Sequence, residues 1–271
     1  MLKDLHTLSP YLDFIHACSA DPDYRDPMLL TEQQLHRNLL DAPENPNTRV
    51  LGTFENDTVT GVFALLALED EKYLELLAGL SRSAAAYDEL LAHLKSAYPG
   101  YQADFVYNPR NRLLQKALEA LGAEFEPEQQ KLVLRRTVPY VPDARIVPYR
   151  PEYRAQYLAL HTVDRYWTGE KVLAAPEVFR VLLALEAGEA AGYIDLTHNS
   201  TENEPYDLFV REKSRRRGLG RALLAAAVQE NRPSGMTLLV DIDNEAAIAL
   251  YEAQGFERAD GENNITAHIC L

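Results

Sequence analysis

The stretch that decides the fold is Arg215-Arg216-Arg217-Gly218-Leu219-Gly220-Arg221, which is followed at a fixed distance by Asn244, Ala247, Tyr251 and Gly255-Phe256. Glycines let the main chain approach a ligand closely, and the N–H groups at the start of the following helix have no partner within that helix. Because the helix dipole also favours negative charge there, the segment predicts a diphosphate-binding turn, to which the arginines add charge-assisted contacts. A solvated basic turn is the alternative interpretation of the arginines.

Strand and helix patterns alternate around this turn. Apolar residues at helical spacing predict a helix that begins at Gly218 and ends near residue 231. Residues 189–196 and 206–210 have strand composition, with a polar hairpin loop between them, and residues 236–242 form a largely apolar run that is typical of a buried strand. A second helix, capped by Asp243 or Asn244, and a last strand near residues 265–270 complete a predicted α/β domain.

These anchors resemble those of the GNAT superfamily of acyl-CoA-dependent N-acetyltransferases. The pyrophosphate loop of that family reads Gln/Arg-x-x-Gly-x-Gly/Ala, which Arg215, Gly218 and Gly220 match, and it usually follows a strand that ends in a valine such as Val210. The next helix of the family reads Asn-x-x-Ala-x-x-x-Tyr-x-x-x-Gly-Phe, and residues 244–256 match each fixed position in order.

The resemblance implies a mixed, mostly antiparallel, twisted sheet flanked by helices, with acetyl-CoA as co-substrate and no metal. One departure is Glu212, where many members have a proline that stiffens the loop. The implied coenzyme contacts lie on the strand, the turn and the second helix, at Leu208, Phe209, Val210, Arg215, Arg216, Arg217, Gly218, Leu219, Gly220, Arg221, Asn244 and Tyr251. Asn244 could equally be a simple helix cap, and Tyr251 a half-buried aromatic residue whose hydroxyl is satisfied.

Acyl transfer to an amine needs a hydrogen-bond donor to the thioester oxygen, a base for the amine and an acid for the departing thiolate. The resemblance implies Tyr251 as the general acid, and it places the oxygen-binding N–H on the strand that ends at Val210, which indicates Phe209 and Val210. Glu204 occupies the start of that strand, where some members place a catalytic glutamate, and Asp207 is the other local carboxylate. Either carboxylate could instead be a solvated charge of the hairpin.

Contacts with the acceptor are expected from residues 161–170, because substrate choice in this fold usually depends on the segment after the first strand. Tyr166 lies beside Trp167, the one tryptophan of the chain. The two rings predict either an aromatic wall for the acceptor or a plug of the hydrophobic core.

The N-terminal half repeats the frame of the C-terminal half. Asn111 and Gly122 each lie 133 positions before a matching residue of the second helix, and Gly61 lies 131 positions before Gly192. Such spacing predicts an internal repeat of a whole domain.

The repeat does not preserve the chemistry. At the offset of 133 residues, Ala85 and Tyr87 stand opposite the two loop glycines, and Leu118 stands opposite the tyrosine of the second helix. Side chains on the loop would obstruct a phosphate, and no hydroxyl remains to protonate a thiolate. We therefore expect the N-terminal copy to be degenerate and non-catalytic.

Two tandem GNAT-like domains are thus predicted, at residues 1–138 and 142–271, with prolines interrupting the pattern between them. The expected roles of the N-terminal domain are to shape the acceptor pocket and to replace a second subunit. The protein is accordingly expected to be a monomer that acts as a pseudo-dimer, or a homodimer.

Composition narrows the classes of partner. A formal net charge of −14 makes nucleic acids and anionic membranes poor partners and fits an amine substrate better. Neither a membrane helix nor a signal peptide is indicated, which predicts a cytoplasmic protein. The two cysteines, Cys18 and Cys270, have no spacing that suggests a disulfide or a zinc site.

The predicted function is transfer of an acetyl group from acetyl-CoA to a primary amine of a small molecule, by direct attack in a ternary complex. No sequence pattern indicates a residue that would carry the acyl group covalently, which favours direct transfer. The alternative is a non-catalytic module that binds CoA or acyl-CoA, or a regulatory protein, with the ligand site kept and turnover lost.

Overall fold

The computed structural model describes residues 1–161 and 167–271 and divides into two compact units. Unit 1 consists of Met1–Gln130 and Asp260–Leu271, and unit 2 of Lys131–Ala259. The strands are β1 Leu2–Asp4, β2 Thr48–Glu55, β3 Thr58–Leu68, β4 Tyr73–Ser81, β5 Gln102–Tyr107, β6 Glu124–Phe125, β7 Gln129–Leu134, β8 Ile146–Pro148, β9 Phe179–Glu186, β10 Glu189–Thr197, β11 Glu202–Asn203, β12 Pro205–Val210, β13 Gly235–Asp241, β14 Phe256–Arg258 and β15 Ile265–Cys270. The α-helices are α1 Leu12–Ser19, α2 Glu32–Leu35, α3 Ala84–Ala97, α4 Arg112–Ala120, α5 Arg154–Leu158, α6 Gly169–Ala174, α7 Leu219–Glu230 and α8 Glu245–Ala253.

Unit 1 is built on a seven-stranded sheet in the order β1-β2-β3-β4-β5-β15-β6. Its strands pair antiparallel except for the parallel pair β4–β5. Successive residues of β3 face opposite sides of the sheet, so Phe63 packs in a core with α3 and α4 while Val62 packs in a second core with α1. Helices on both faces explain why β3 is apolar along most of its length.

Unit 2 contains two four-stranded sheets, ordered β12-β10-β9-β8 and β11-β13-β7-β14. β11 and β12 are successive pieces of one extended segment that is interrupted at Glu204. The first piece pairs with β13 and the second with β10. The chain therefore leaves β13 at Glu204, and the sheets diverge from that point, which leaves β12 as an edge strand of its sheet among the described residues.

The cores of unit 2 lie on the two faces of these sheets. One contains apolar residues of α7 and α8, such as Leu223 and Ile248, together with Ile194 of β10. The other contains Tyr157 of α5 and Val172 of α6, packed against the opposite face. This arrangement confirms the predicted α+β architecture, with two mixed, mostly antiparallel GNAT-like halves.

The strand predicted near residues 265–270 exists as β15, but its place in the C-terminal domain was wrong. β15 lies between β5 and β6 in the sheet of unit 1, whereas β7 takes the corresponding place between β13 and β14 in unit 2. Backbone pairing rather than order along the chain decides which sheet a strand completes. The compact units consequently differ from a single division between residues 138 and 142.

Strand register supports the internal repeat. Gly61 pairs with Ser81 in unit 1, and Gly192 pairs with Val210 in unit 2, so the ends of β4 and β12 correspond. The connection to the next helix is residues 82–83 in unit 1 and residues 211–218 in unit 2. The offset of 133 residues is therefore wrong inside the loop, because unit 1 lacks most of it.

A search of the described helices finds none that combines the length and apolar character needed to cross a bilayer.

Candidate active site

The basic turn connects β12 to α7 in unit 2. After β12 the chain makes a short 3-10 turn, Glu212–Ser214, and then passes through two left-handed residues, Arg216 with φ of 60° and Gly218 with φ of 79°. Gly218 is the N-cap of α7, and no side chain of the described residues caps this end. The first N–H groups of α7 therefore have no side-chain partner at this cap and could bind an anion.

A cleft of about 680 Å³ opens between β12, the turn and α8. It gathers most of the residues that the sequence indicates for the coenzyme. They are Leu208, Phe209, Val210, Arg215, Arg216, Gly218, Leu219, Gly220, Arg221 and Asn244. Ala246, Ala247 and Leu250 give the α8 side of the cleft an apolar wall.

Arg217 points to a different part of the surface. Its Nη1 lies 3.1 Å from Oε1 of Glu186, whose carboxylate also accepts a hydrogen bond from the hydroxyl of Ser214. These two contacts hold the pKa of Glu186 below its usual value. Together with Arg145, these residues line a second cavity of about 860 Å³ on the other side of the turn. The structure thus separates Arg217 from the other predicted coenzyme residues.

The main chain of β12 offers two amides to the cleft. The N–H of Arg211 donates to the carbonyl of Ala191 at 2.8 Å, so by alternation the N–H of Phe209 also faces β10. The N–H groups of Leu208 and Val210 then face the opposite, open edge. Phe209 is therefore wrongly predicted as a main-chain donor, because its N–H is directed into the sheet, and Leu208 takes its place.

Helix α8 presents one face to the cleft. The side-chain oxygen of Asn244 accepts a hydrogen bond from the N–H of Ala247 at 3.2 Å, so Asn244 is a helix cap as well as a lining residue. Tyr251 lies one turn beyond Ala247, half-buried, with its ring 5.7 Å from that of Phe256. The cleft-lining residues within the described chain do not include Tyr251.

Glu204 lies where β11 ends and β12 begins. Its N–H donates to the hydroxyl of Thr197 at 2.7 Å, and its carbonyl accepts from the N–H of Thr197 at 2.9 Å. Burial raises the pKa of the side chain to about 6. Within the described ranges no ion pair opposes this effect, so Glu204 can exchange a proton near neutral pH.

Asp207 belongs to a polar cluster on the α5 and α6 face that sequence reasoning missed. The hydroxyl of Tyr193 donates to Oδ2 of Asp207 at 2.6 Å, and that of Tyr157 donates to Oδ1 of Asp195 at 2.9 Å. Nε2 of His161 lies 3.3 Å from Oδ2 of Asp195. The members come from α5, its C-terminal end, β10 and β12, and no sequence spacing connects them.

Burial dominates the electrostatics of this cluster. Asp195 is fully buried, and desolvation raises the pKa of its carboxyl although the nearby His161 and Tyr157 oppose the shift. The pKa of Tyr157 is raised above its ordinary value by burial and by the neighbouring carboxylate. Ionising the carboxyl of Asp195 is therefore unfavourable unless a cation lies beside it.

Of the predicted aromatic pair, Tyr166 and Trp167, the structure describes Trp167. The ring of Trp167 lies 4.9 Å from that of Phe179, which in turn lies 5.7 Å from the ring of Tyr206. Trp167 is partly buried against the core of the α5 and α6 face, which favours the packing interpretation of this residue. Tyr166 lies outside the described residues.

Residues 146–256, which lie entirely in unit 2, match the model of the acetyltransferase (GNAT) family. This segment of the chain is similar to the GNAT acetyltransferases. The loop, the cleft and α8 all lie inside the matched segment. Unit 1 lies outside it.

Two curated relatives share short segments with this chain. A mycothiol acetyltransferase of Nocardiopsis dassonvillei is 38% identical over 96 residues, which cover 31% of this chain and 29% of the relative. A mycothiol acetyltransferase of Kocuria rhizophila is 47% identical over 58 residues, which cover 20% of this chain and 19% of the relative. The chain thus spans less than a third of the length of either relative.

Solved structures resemble this chain over its full length. A GCN5-related N-acetyltransferase of Sphaerobacter thermophilus has a TM-score of 0.66 at 14% identity, covering 100% of this chain and 95% of the other. A tandem GNAT protein from the clavulanic acid biosynthesis pathway has a TM-score of 0.54 at 15% identity, covering 100% and 98%. At these identities the likeness shows the fold alone.

Proposed function

We propose that the protein is an N-acetyltransferase that moves the acetyl group of acetyl-CoA to a primary amine of a small molecule, within a ternary complex. One observation carries the proposal. The cleft of unit 2 combines an uncapped helix start, a basic turn and two edge amides of β12, in the segment that matches the family. The curated relatives support acetyl transfer as the reaction.

Each residue of the site has a separate role in the proposed reaction. The amides of Leu208 and Val210 stabilise the thioester oxygen as negative charge develops on it. Glu204, with a pKa of about 6, accepts the amine proton directly or through water. Tyr251 protonates the sulfur as the new amide bond forms and the C–S bond breaks. Glu204 then releases its proton to solvent, and Tyr251 regains one from solvent, which restores both residues.

Unit 1 takes no coenzyme in this proposal, because its own chain fills the corresponding slot. β4 and β5 pair from Tyr73 to Leu76 and then diverge, as the strands of unit 2 do. Oδ2 of Asp26 accepts a hydrogen bond from the N–H of Gly79 at 2.7 Å, and Oδ1 accepts from the N–H of Met28 at 2.8 Å. Since the ends of β4 and β12 correspond, Gly79 stands where Leu208 stands in unit 2.

Further contacts of unit 1 support this assignment. Nδ2 of Asn108 holds the same segment through the carbonyls of Pro22 and Arg25, at 2.9 and 3.2 Å. Tyr87 is fully buried where the turn of unit 2 would open, with its hydroxyl bonded to the carbonyl of Ser81 and to Asn111. A coenzyme would have to displace buried, hydrogen-bonded groups.

Calorimetric titration of the full chain with acetyl-CoA, followed by an assay of thiol release over a panel of primary amines, tests the function. We expect one coenzyme per chain and turnover with some of the amines. Tyr251→Phe should keep the affinity for acetyl-CoA and lower kcat by about tenfold to a thousandfold. Tyr140→Phe, at an exposed tyrosine of unit 2, is the matched control.

The titration and the assay together distinguish an acetyltransferase from a non-catalytic coenzyme-binding module. Binding without turnover across the panel would instead assign a coenzyme-binding or regulatory module. Two coenzymes per chain would refute the assignment of unit 1, and no binding at all would remove both functions.

A further inference from the structure

The His161, Asp195 and Asp207 cluster has the geometry of a metal site. Each residue brings one donor atom, and the three donors lie within 4.8 Å of one another, a convergence found for no other set in the described residues. Asp195 of β10 and Asp207 of β12 are directly paired across the two strands, so their carboxylates share one face of the sheet.

The contact between His161 and Asp195 is the second observation. Nε2 and Oδ2 are both buried and lie 3.3 Å apart, and neither makes a hydrogen bond of ordinary geometry within the described residues. A charge-assisted hydrogen bond between these groups would be about 2.7–2.9 Å long. Two ligands of one tetrahedral ion, each about 2.0–2.1 Å from it, are about 3.3–3.4 Å apart.

The surrounding residues orient these donors as the neighbours of metal ligands do. The hydroxyl of Tyr157 binds the other oxygen of Asp195, at 2.9 Å, and the hydroxyl of Tyr193 binds Asp207, at 2.6 Å. The imidazole of His161 stacks on the ring of Tyr193 at 4.2 Å. It also abuts Gly169, where an added Cβ would lie 3.0 Å from the ring. The donors are thus held in place without an ion.

We propose that His161, Asp195 and Asp207 bind one divalent cation of borderline softness, such as Zn²⁺. One imidazole and two carboxylates suit that class of ion, and three protein donors leave a position for water. The ion would offset the buried charge of Asp195 and connect the segment that follows α5 to β10 and β12. The sequence carries no signal of this site, because its donors lie on three separate elements and become neighbours through strand register.

Titration of the EDTA-treated full chain with ZnCl₂, followed by calorimetry, tests the proposal. We expect one Zn²⁺ per chain with a Kd of about micromolar or lower, and a higher Tm in its presence. Reconstitution with Co²⁺ should give the visible absorption of a tetrahedral site. His161→Gln should weaken binding by at least about a hundredfold, and Tyr157→Phe by about tenfold to a hundredfold.

His198→Gln is the matched control, since His198 is a half-buried histidine of the same unit whose Nε2 lies 2.9 Å from the carbonyl of Pro176. It should bind Zn²⁺ as the unaltered chain does. Circular dichroism and acetyl-CoA titration establish that each variant is folded. Absence of Zn²⁺ binding, or binding that survives His161→Gln, would overturn the proposal and leave a buried ion pair. Either result leaves the proposed acetyl transfer unaffected, because the assay reads the metal.

Discussion

At the scale of single residues, the strand interruption at Glu204 explains the raised pKa of its carboxylate. The break between β11 and β12 places it where two sheets diverge, half-buried and hydrogen-bonded through its main chain to Thr197. Desolvation without an opposing ion pair raises its pKa to about 6. Sequence position alone suggested the residue but not this environment, since Glu204 could as well have been a solvated charge of the hairpin.

This environment predicts a pH dependence. A base must be ionised to accept a proton, so kcat/KM should fall as the pH decreases through about 6, where Glu204 becomes protonated. Glu204→Gln should lower kcat/KM by about a hundredfold or more and remove this inflection. Rate profiles of both proteins with the same amine provide the measurement. Glu202→Gln, at an exposed carboxylate two positions earlier, should retain the inflection; its persistence in Glu204→Gln would assign the base elsewhere.

Other residues could not be placed from sequence. Trp167 was equally compatible with a substrate wall and with the core, and packing against Phe179 was needed to favour the core. Leu208 rather than Phe209 directs its N–H to the cleft because strand pairing sets the direction of each amide. Arg217 belongs to the basic run yet pairs with Glu186. Each of these outcomes depends on a neighbour that is distant in sequence.

At the scale of elements, the turn and its two helices were the most predictable parts. α7 and α8 begin next to Gly218 and Asn244 as expected, because caps, glycines and helical periodicity act over a few residues. The length of the connection between β4 and α3 in unit 1 was not predictable. An alignment of the two halves at a constant offset of 133 residues does not reveal that this connection is shorter than the one between β12 and α7.

The left-handed start of α7 predicts separable effects on stability and binding. Gly218→Ala should cost about 1 kcal/mol, because φ is 79° and an L-residue is strained there. The added methyl group also enters the open cleft, so the affinity for acetyl-CoA should fall by about tenfold or more. Thermal unfolding and calorimetry measure the two effects.

Gly188→Ala is the matched control for this variant. Gly188 has a φ of 84° and, like Gly218, nothing within 4 Å of an added Cβ, but it lies in the turn between β9 and β10. It should lower the Tm similarly and leave the affinity unchanged. Equal losses of affinity in both variants would mean that strain, rather than contact with the coenzyme, explains the effect.

At the scale of the whole molecule, the division of the sequence into two GNAT-like halves was predictable from the repeat. The sheets to which the last strands of the two halves, β7 and β15, belong were not predictable. β7 and β15 have similar patterns and similar positions at the ends of the two halves. Which sheet each one enters depends on pairing across more than a hundred residues, for example Ile265 with Tyr107.

The assignment of β7 to the sheet of unit 2 and of β15 to the sheet of unit 1 predicts which fragments of the chain fold. Residues 129–259 contain every strand of the two sheets of unit 2 and should unfold cooperatively, while residues 142–271 lack β7 between β13 and β14 and should not. Circular dichroism during heating and the dispersion of amide NMR signals distinguish the two fragments. A cooperative transition for residues 142–271 together with a disordered fragment 129–259 would contradict the strand assignment.

The placement of β15 also has a consequence for biosynthesis. During translation, residues 1–130 are synthesised well before residues 265–270, which form β15. The edge of β5 that pairs with β15 therefore stays exposed in the nascent N-terminal unit until unit 2 has been synthesised. Chaperone protection during that interval, or rapid elongation, would matter more for this chain than for one whose domains close in the order in which they are made.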